Sequence, residues 1–272
     1  ASVQRMPFKQ AYVFSLTAPG DPHNLAGTFS PAGILRVGSI YLIRHGQASF
    51  GADDYDVLSA TGVRQAEILG EHLASLGLRF DRCVAGDLRR QRHTADAVMG
   101  RLNEAGIETP ALEIDSAFNE FEADAVIRAH LPDLLEIEPQ ALHIMRNAAD
   151  HRAEFQRLFS TVIARWVSGN HDKDGLVSWA EFLDTVHGGL QRLLESASGK
   201  DNIGVFTSGG TITAVLQQVT GIPALNAFEL NWQIVNTSLN RLKFRGSEVA
   251  LASFNSHVHL ELLRAPELIT YR

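Results

Sequence analysis

Short apolar segments alternate with amphipathic helical segments along most of the chain, and this alternation limits the possible folds more than any other feature. The apolar segments predict strands at 40–43, 80–85, 112–114, 203–206, 238–244 and 249–254. Between the early strands, apolar residues recur every three or four positions, as at Leu69, Leu73 and Leu76, which predicts helices with one buried face. Strands that alternate with helices predict an α/β protein, specifically a three-layer α/β/α sandwich with a mostly parallel sheet.

A basic pair stands where the first predicted strand ends, in the run Arg44-His45-Gly46. In open α/β sheets, ligands bind in the crevice outside the carboxyl ends of the strands. A guanidinium group beside an imidazole suits a bound phosphoryl group, and the glycine lets a ligand approach the backbone. The alternative is an ordinary strand end with two solvated polar residues.

A second polar run, Thr207-Ser208-Gly209-Gly210, lies where another predicted strand ends and a helix begins. Such a helix N-terminus offers N–H donors and a positive dipole to an anion. Arg90, at the start of the helix after the second strand, is able to bring a bidentate donor to the same crevice. The alternative for Arg90 is a solvated side chain in an arginine-rich turn.

The middle of the chain, about residues 120–200, is predicted to be mainly helical. Apolar residues recur there in two stripes, from Phe155 to Trp166 and from Phe182 to Leu193, which we interpret as core faces. We expect one domain over residues 39–272, in which these helices form an insertion over the site. Residues 1–38 have little periodicity and no apolar run of the about 7–15 residues that a secretory signal needs, so we expect a poorly ordered extension.

The composition excludes several classes of function. At 272 residues and 45% hydrophobic, the chain can bury a large core. A net charge of −7 without a run of lysine or arginine argues against a nucleic-acid or anionic-membrane partner. The single cysteine, Cys83, excludes an internal disulfide, and no apolar run approaches the about 18 residues that span a bilayer. We expect a cytoplasmic protein with a small-molecule partner, and the oligomeric state is left open.

Taken together, these runs resemble the histidine phosphatase superfamily, also called the phosphoglycerate-mutase-like family. The resemblance covers residues 39 to about 260. Besides the runs at Arg44 and Ser208, it rests on these segments in order: Leu58-Ser59-Ala60-Thr61-Gly62 with Gln65-Ala66, Leu88-Arg89-Arg90 with Thr94-Ala95, Asn236-Thr237-Ser238, and Asn255 followed by His259-Leu260.

The resemblance implies a phosphomonoester hydrolase that acts on a small phosphorylated metabolite without a metal or other cofactor. His45 would take the phosphoryl group on a ring nitrogen and pass it to water, while Arg44 and Arg90 clamp the phosphoryl oxygens. Glu120 would protonate the leaving oxygen, with Glu122 and Asp124 as alternatives. The remaining expected contacts to the substrate are Gln47, Gly209 and Gly210.

Two departures from the family pattern bear on activity. Ser208 stands where the family usually has a second histidine, and it can donate one hydrogen bond but cannot be cationic. Losing one preorganised donor costs about 3–4 kcal/mol of transition-state stabilisation. Ala48 and Gly51 replace a usual threonine and asparagine. A catalytically weak or inactive phosphoester-binding protein is therefore the first alternative, and His93, His257 and His259 are candidates for the missing histidine.

The long signature of the glycolytic mutases is absent from the region after Gly46, which favours a hydrolase over a mutase. Phosphoryl transfer of the phosphoglycerate-mutase type is nevertheless kept as an alternative.

Residues 170–181 resemble a calcium-binding EF-hand loop. Asp172, Asp174, Ser178 and Glu181 fall at the third, fifth, ninth and twelfth positions, and Gly175 falls at the sixth. This makes a calcium-binding protein a remote alternative. The simpler interpretation is a polar connection between two helices, in which Ser178 caps the second.

Overall fold

In the computed structural model, which describes residues 14–15, 37–49, 56–147 and 150–271, seven strands form one sheet. In chain order they are β1 (Phe14–Ser15), β2 (Gly38–Arg44), β3 (Arg82–Ala85), β4 (Leu112–Ile114), β5 (Asn202–Thr207), β6 (Leu239–Arg245) and β7 (Glu248–Ser256). Their order across the sheet is β1-β7-β6-β2-β5-β3-β4. Most of residues 1–38, the predicted extension, lies outside the described residues.

The sheet is mixed rather than mostly parallel. β2, β5, β3 and β4 run parallel to one another, whereas β6 is antiparallel to β2 and β7, and β1 is antiparallel to β7. The pairing of β6 with β7 has a local cause, because the link between them is the pair Gly246-Ser247, with Gly246 at φ 58°. A two-residue link joins only antiparallel strands, because a parallel crossover needs a dozen residues or more.

Helices cover both faces of the sheet, as the predicted three-layer α/β/α sandwich requires. On one face, α1 (Ala60–Ser75) and α2 (Arg89–Glu104) pack against Ile43, Cys83 and Phe206. On the other face lie α6 (Trp179–Ser196) and α7 (Gly209–Thr220), against Leu42 and Val205. Because successive strand side chains point to opposite faces, both of which are covered, the middle of each central strand is mainly apolar.

The middle of the chain is helical, as predicted. It contains a 3₁₀ turn at Ser116–Phe118, then α3 (Ala123–Ile137), α4 (Ala141–Arg146), α5 (Arg152–Val167) and α6. The remaining helices are α8 (Ala224–Asn231), α9 (Val258–Glu261) and a 3₁₀ turn at Pro266–Leu268. Buried residues of both predicted stripes, such as Leu158, Trp166, Val186 and Leu190, belong to the core. None of the helices in the described ranges is long and apolar enough to cross a bilayer.

His259, on α9, is a structural residue. Its side chain is 2% exposed, and Nε2 donates to the Thr237 hydroxyl at 3.0 Å, because that hydroxyl itself donates to the carbonyl of Asn236. Thr237 has φ 60°, a costly conformation for a β-branched residue, and its N–H donates to the Arg44 carbonyl. Burial, with smaller contributions from His72 and His257, lowers the pKa of His259 to about 3.

Acid should therefore destabilise the protein partly through His259. The folded-state pKa lies below the unfolded value of about 6.5, so the stabilising contribution is complete above that pH and is lost as pH falls towards 3. Between pH 7 and pH 4.5 the wild type should lose about 2–3 kcal/mol more stability than His259→Gln. Urea unfolding at both pH values measures this. His171→Gln, at an exposed position, is the control, and identical pH dependence in all three proteins would contradict the assignment.

Candidate active site

A cleft of about 620 Å³ opens at the carboxyl ends of β2 and β5. Five of the predicted site residues line it: Arg44, His45, Arg90, Glu120 and Gly209. They come from the end of β2, the start of α2, the loop after β4 and the start of α7. Because β2 pairs with β5 in parallel, with Arg44 opposite Thr207, the two strand ends reach the same edge of the sheet.

His45 is a buried, neutral imidazole. It is 4% exposed, and Nδ1 lies 2.7 Å from the carbonyl oxygen of Gly46. A carbonyl only accepts, so the proton is on Nδ1 and the lone pair on Nε2. Burial holds the pKa of His45 well below its ordinary value, and the guanidinium groups of Arg90 and Arg44 lower it further. The hydrogen bond to the Gly46 carbonyl raises this pKa, but its contribution is smaller. The ring is therefore available as a nucleophile at neutral pH.

The two arginines are held by partners far away in the chain. Arg44 donates to the carbonyl oxygens of Ile234 and Tyr271. Arg90 is buried rather than solvated, and its Nη1 pairs with an Asp56 carboxylate oxygen at 2.7 Å. The other Asp56 oxygen accepts the N–H of Arg89 at 2.8 Å, so Asp56 both caps α2 and orients Arg90.

Glu120 lies against the start of α7. Its carboxyl group accepts hydrogen bonds from the N–H groups of Gly210 and Phe121, each at 3.1 Å. Burial raises the pKa of Glu120 above its usual range, in spite of these bonds and of the nearby Arg90. A Cβ on Gly210 would collide with this carboxyl group, so glycine is needed for the close approach. The alternatives Glu122 and Asp124 also line the cleft but are exposed.

Two predicted contacts turn away from the cleft. Ser208 is 0% exposed, and its hydroxyl oxygen accepts from Gln91 Nε2 at 2.8 Å. Gln47 accepts from the Ser59 hydroxyl at 2.8 Å. Neither is among the described residues that line the cleft, and the N–H of Gly210 is bound to Glu120.

The candidate replacement histidines also lie elsewhere. His93 is exposed on α2, His257 binds the Asn255 carbonyl and His259 is in the core, so none of them lines the described cleft. Ala48 is buried, and Gly51 lies outside the described residues.

Gly46 does not serve the role predicted for it. A Cβ at Gly46 would collide with the carbonyl of Gly62, and a Cβ at Gly62 would collide with the carbonyl of Gln47. The missing side chains therefore let the start of α1 pack against the loop after β2, rather than let a ligand reach the backbone.

Three buried polar side chains that were not predicted as site residues hold that loop. Gln65 accepts the N–H of Gln47 at 2.8 Å, and Thr94 accepts the N–H of Gly46 at 3.0 Å. Asn236 donates to the carbonyl of His45 at 3.0 Å. Gln65 and Thr94 occupy inward-facing helix positions, where a polar side chain needs a buried hydrogen-bond partner. This position is the sequence feature that indicates a structural role for the two residues.

The EF-hand-like loop forms a helix cap. Ser178 and Glu181 exchange hydrogen bonds between side chain and backbone, which makes a capping box at the start of α6. The carboxylate of Glu181, the residue at the twelfth position of the loop, is thus bound to Ser178. Within the described ranges, no group of three or more His, Cys, Asp or Glu side chains is placed to hold a metal ion. The geometry favours the polar helix–helix connection.

A model of the histidine phosphatase superfamily (branch 1) matches residues 40–257, which is most of the chain. The protein therefore belongs to the histidine phosphatase superfamily, which confirms the resemblance found in the sequence.

Two curated relatives show partial similarity. A 2,3-bisphosphoglycerate-dependent phosphoglycerate mutase from Rhizobium rhizogenes is 33% identical over 90 residues, or 30% of this chain and 41% of that protein. The mitochondrial serine/threonine-protein phosphatase Pgam5 of Drosophila virilis is 32% identical over 122 residues, or 44% of this chain and 40% of that protein. The match spans about 40% of the length of these relatives.

Solved structures share the fold. Phosphoserine phosphatase from Entamoeba histolytica, in complex with 3-phosphoglyceric acid, has a TM-score of 0.57 at 19% identity and covers 82% of this chain and 99% of that one. Phosphoglycerate mutase from Bacillus anthracis has a TM-score of 0.56 at 19% identity and covers 83% and 96%. Phosphatases and mutases both occur among these neighbours.

The pair Arg44 and Arg90 should bind a tetrahedral oxyanion. Orthovanadate should raise the melting temperature of the wild type, and Arg90→Met should bind it at least about tenfold more weakly, because a hydrogen bond to a charged group contributes about 1.5–3 kcal/mol. Arg92→Met is the matched control, since Arg92 lies on the same helix near Asp87 at the surface. Equal vanadate affinity in the two variants would remove Arg90 from the site.

Proposed function

We propose that the protein is a phosphomonoester hydrolase that works through a phosphohistidine intermediate at His45 on a small phosphorylated metabolite. The observation that supports this most is the neutral, buried imidazole of His45, which lines the same cleft as two guanidinium groups and a partly buried carboxyl group. Family membership supports phosphoryl chemistry, and the finer assignment rests on this geometry.

In the first step, Nε2 of His45 attacks phosphorus and the ester P–O bond breaks. Glu120, whose pKa is raised by burial, gives a proton to the departing oxygen and releases an alcohol. Arg44 and Arg90 stabilise the charge on the transferring group, and the N-terminus of α7 adds its dipole at Gly209.

In the second step, water attacks phosphorus and the P–N bond breaks. The Glu120 carboxylate takes the water proton, which returns it to its starting form, and phosphate leaves with His45 neutral again. Dividing the reaction in this way replaces one difficult displacement by two easier ones. The chemistry needs no group beyond these side chains.

The position of Ser208 supports a slow enzyme rather than a fast one. Its short side chain is bound to Gln91 and gives the transferring group no hydrogen bond in this arrangement. One missing donor of this kind lowers kcat by about a hundred- to a thousandfold. A phosphoester-binding protein without turnover is the second candidate, because the arginine pair would serve it equally well.

Hydrolysis is favoured over mutase-type transfer by the missing mutase signature after Gly46. The cell compartment is part of the same proposal. A single, buried cysteine, Cys83, is typical of proteins that work in a reducing compartment, and we place the enzyme in the cytoplasm.

Purified protein should hydrolyse p-nitrophenyl phosphate in the presence of EDTA, and His45→Ala should abolish the activity because the nucleophile is gone. His93→Ala, at an exposed position on α2, is the matched control and should retain wild-type turnover. Turnover that persists in His45→Ala contradicts the mechanism. No turnover in the wild type, with vanadate still raising the melting temperature, supports the binding protein.

The pH dependence of kcat/KM should show both shifted groups. At high pH the activity should fall because Glu120 loses its proton above its raised pKa. At low pH the activity should fall only well below pH 6.5, because the His45 ring gains a proton only there. Glu120→Gln should lower kcat for an alkyl phosphate about a hundredfold or more. The loss for p-nitrophenyl phosphate should be smaller, because nitrophenolate leaves without a proton. Equal losses for both esters would assign Glu120 another role.

A further inference from the structure

The cleft is larger than a phosphoryl group requires, and its outer wall is aromatic. Its volume of about 620 Å³ is in the range of sites for whole small molecules. Beyond His45 and the arginines it is lined by Phe121, Ile127, Phe155, Phe159, Phe228 and Trp232. These residues lie on or beside α3, α5 and α8, so three helices build one apolar surface next to the phosphoryl end.

The rings of this wall form a continuous surface. Phe155 and Phe159 are stacked, with ring centroids 6.1 Å apart, and Phe159 meets Trp232 edge to face at 5.6 Å. All three are only partly buried, whereas the core aromatic residues Trp166 and Phe118 are at most 1% exposed. The wall rings therefore keep apolar surface that a ligand can cover, and covering it is favourable.

The cleft lining carries charged side chains of both signs. Among its described lining residues, the cationic side chains are Arg44 and Arg90, and the proposed function uses both to bind the phosphoryl group. Glu122 and Asp124, at the start of α3, contribute exposed carboxylates to the same lining. A second anionic group on the substrate would meet like charge there, which disfavours its binding.

We propose that the substrate is a phosphate monoester of an apolar, ring-bearing alcohol, with no second anionic group. This inference rests on the proposed function for the reaction. The choice of substrate is argued from the aromatic wall and from the carboxylates of Glu122 and Asp124 in the cleft lining. The phosphoryl group binds between Arg44 and Arg90, and the ring of the leaving group packs against Phe155, Phe159 and Trp232.

Three alkyl phosphates with primary alcohol leaving groups test this choice, because the reactivity of their ester bonds is similar. They are 3-phenylpropyl phosphate, ethyl phosphate and 4-phosphonooxybutanoate, which carries a carboxylate. With the wild type, kcat/KM for the phenylpropyl ester should exceed the values for both others by about tenfold or more. Calorimetry with His45→Ala should give the same order of affinities without turnover.

Variants of the wall supply the matched comparison. Phe159→Ala should reduce the ratio of kcat/KM between phenylpropyl and ethyl phosphate about fivefold or more, in line with the 10–200-fold that small apolar groups give in such pockets. Phe155→Ala is the second variant in case the first does not fold. Leu225→Ala, at an exposed position on α8 outside the cleft lining, should keep the wild-type ratio.

The outcomes separate the two proposals. Hydrolysis of all three esters without preference leaves the hydrolase standing and overturns the substrate class, as does a preference for the carboxylate ester. No hydrolysis, with phenylpropyl phosphate still bound about tenfold more tightly than the others, retains the ligand class and overturns the hydrolase. Equal, weak binding of all three overturns both.

Discussion

The hydrogen bond from Nδ1 of His45 to the carbonyl oxygen of Gly46 determines what the cleft can do. It fixes the imidazole tautomer, and it holds only while the backbone of these two residues stays in place. Thr94 and Asn236 bind that backbone through polar side chains, and Gly62 packs against it without a gap. Thr94 and Asn236 therefore serve the imidazole ring rather than the substrate directly.

Burial shifts the pKa values of His45 and Glu120 in opposite directions. It lowers the pKa of His45 and raises that of Glu120, which favours the uncharged form of both groups. The positive charge in the lining is then left to the guanidinium groups of Arg44 and Arg90, which favours entry of an anion. Gly210 completes the arrangement, because only a glycine lets the Glu120 carboxyl group reach the N-terminus of α7.

The sequence was sufficient to predict which residues lie at the ends of β2 and β5. Arg44 and Thr207 each close an apolar run, and parallel pairing brings such ends to one edge. The directions of the Ser208 and Gln47 side chains were not predictable in the same way. Ser208 and Gln47 turn towards Gln91 and Ser59, partners from other segments, and nothing local specifies those contacts.

Two further misses have different causes. The antiparallel pairing of β6 with β7 follows from Gly246-Ser247, a hairpin signal between two predicted strands. Asp56 carried no such signal, because a single aspartate gains its role only where α2 begins beside it in space. Long-range hydrogen bonds of this kind are set by the fold and not by sequence spacing.

The central claim is that His45 itself carries the phosphoryl group. Rapid quenching of the enzyme with a ³²P-labelled phosphate monoester, in alkaline conditions that preserve phosphohistidine, tests it directly. The account predicts acid-labile label on the peptide that contains His45, with no label in His45→Ala. Label on another residue, or steady turnover with no labelled protein at any time point, would contradict it.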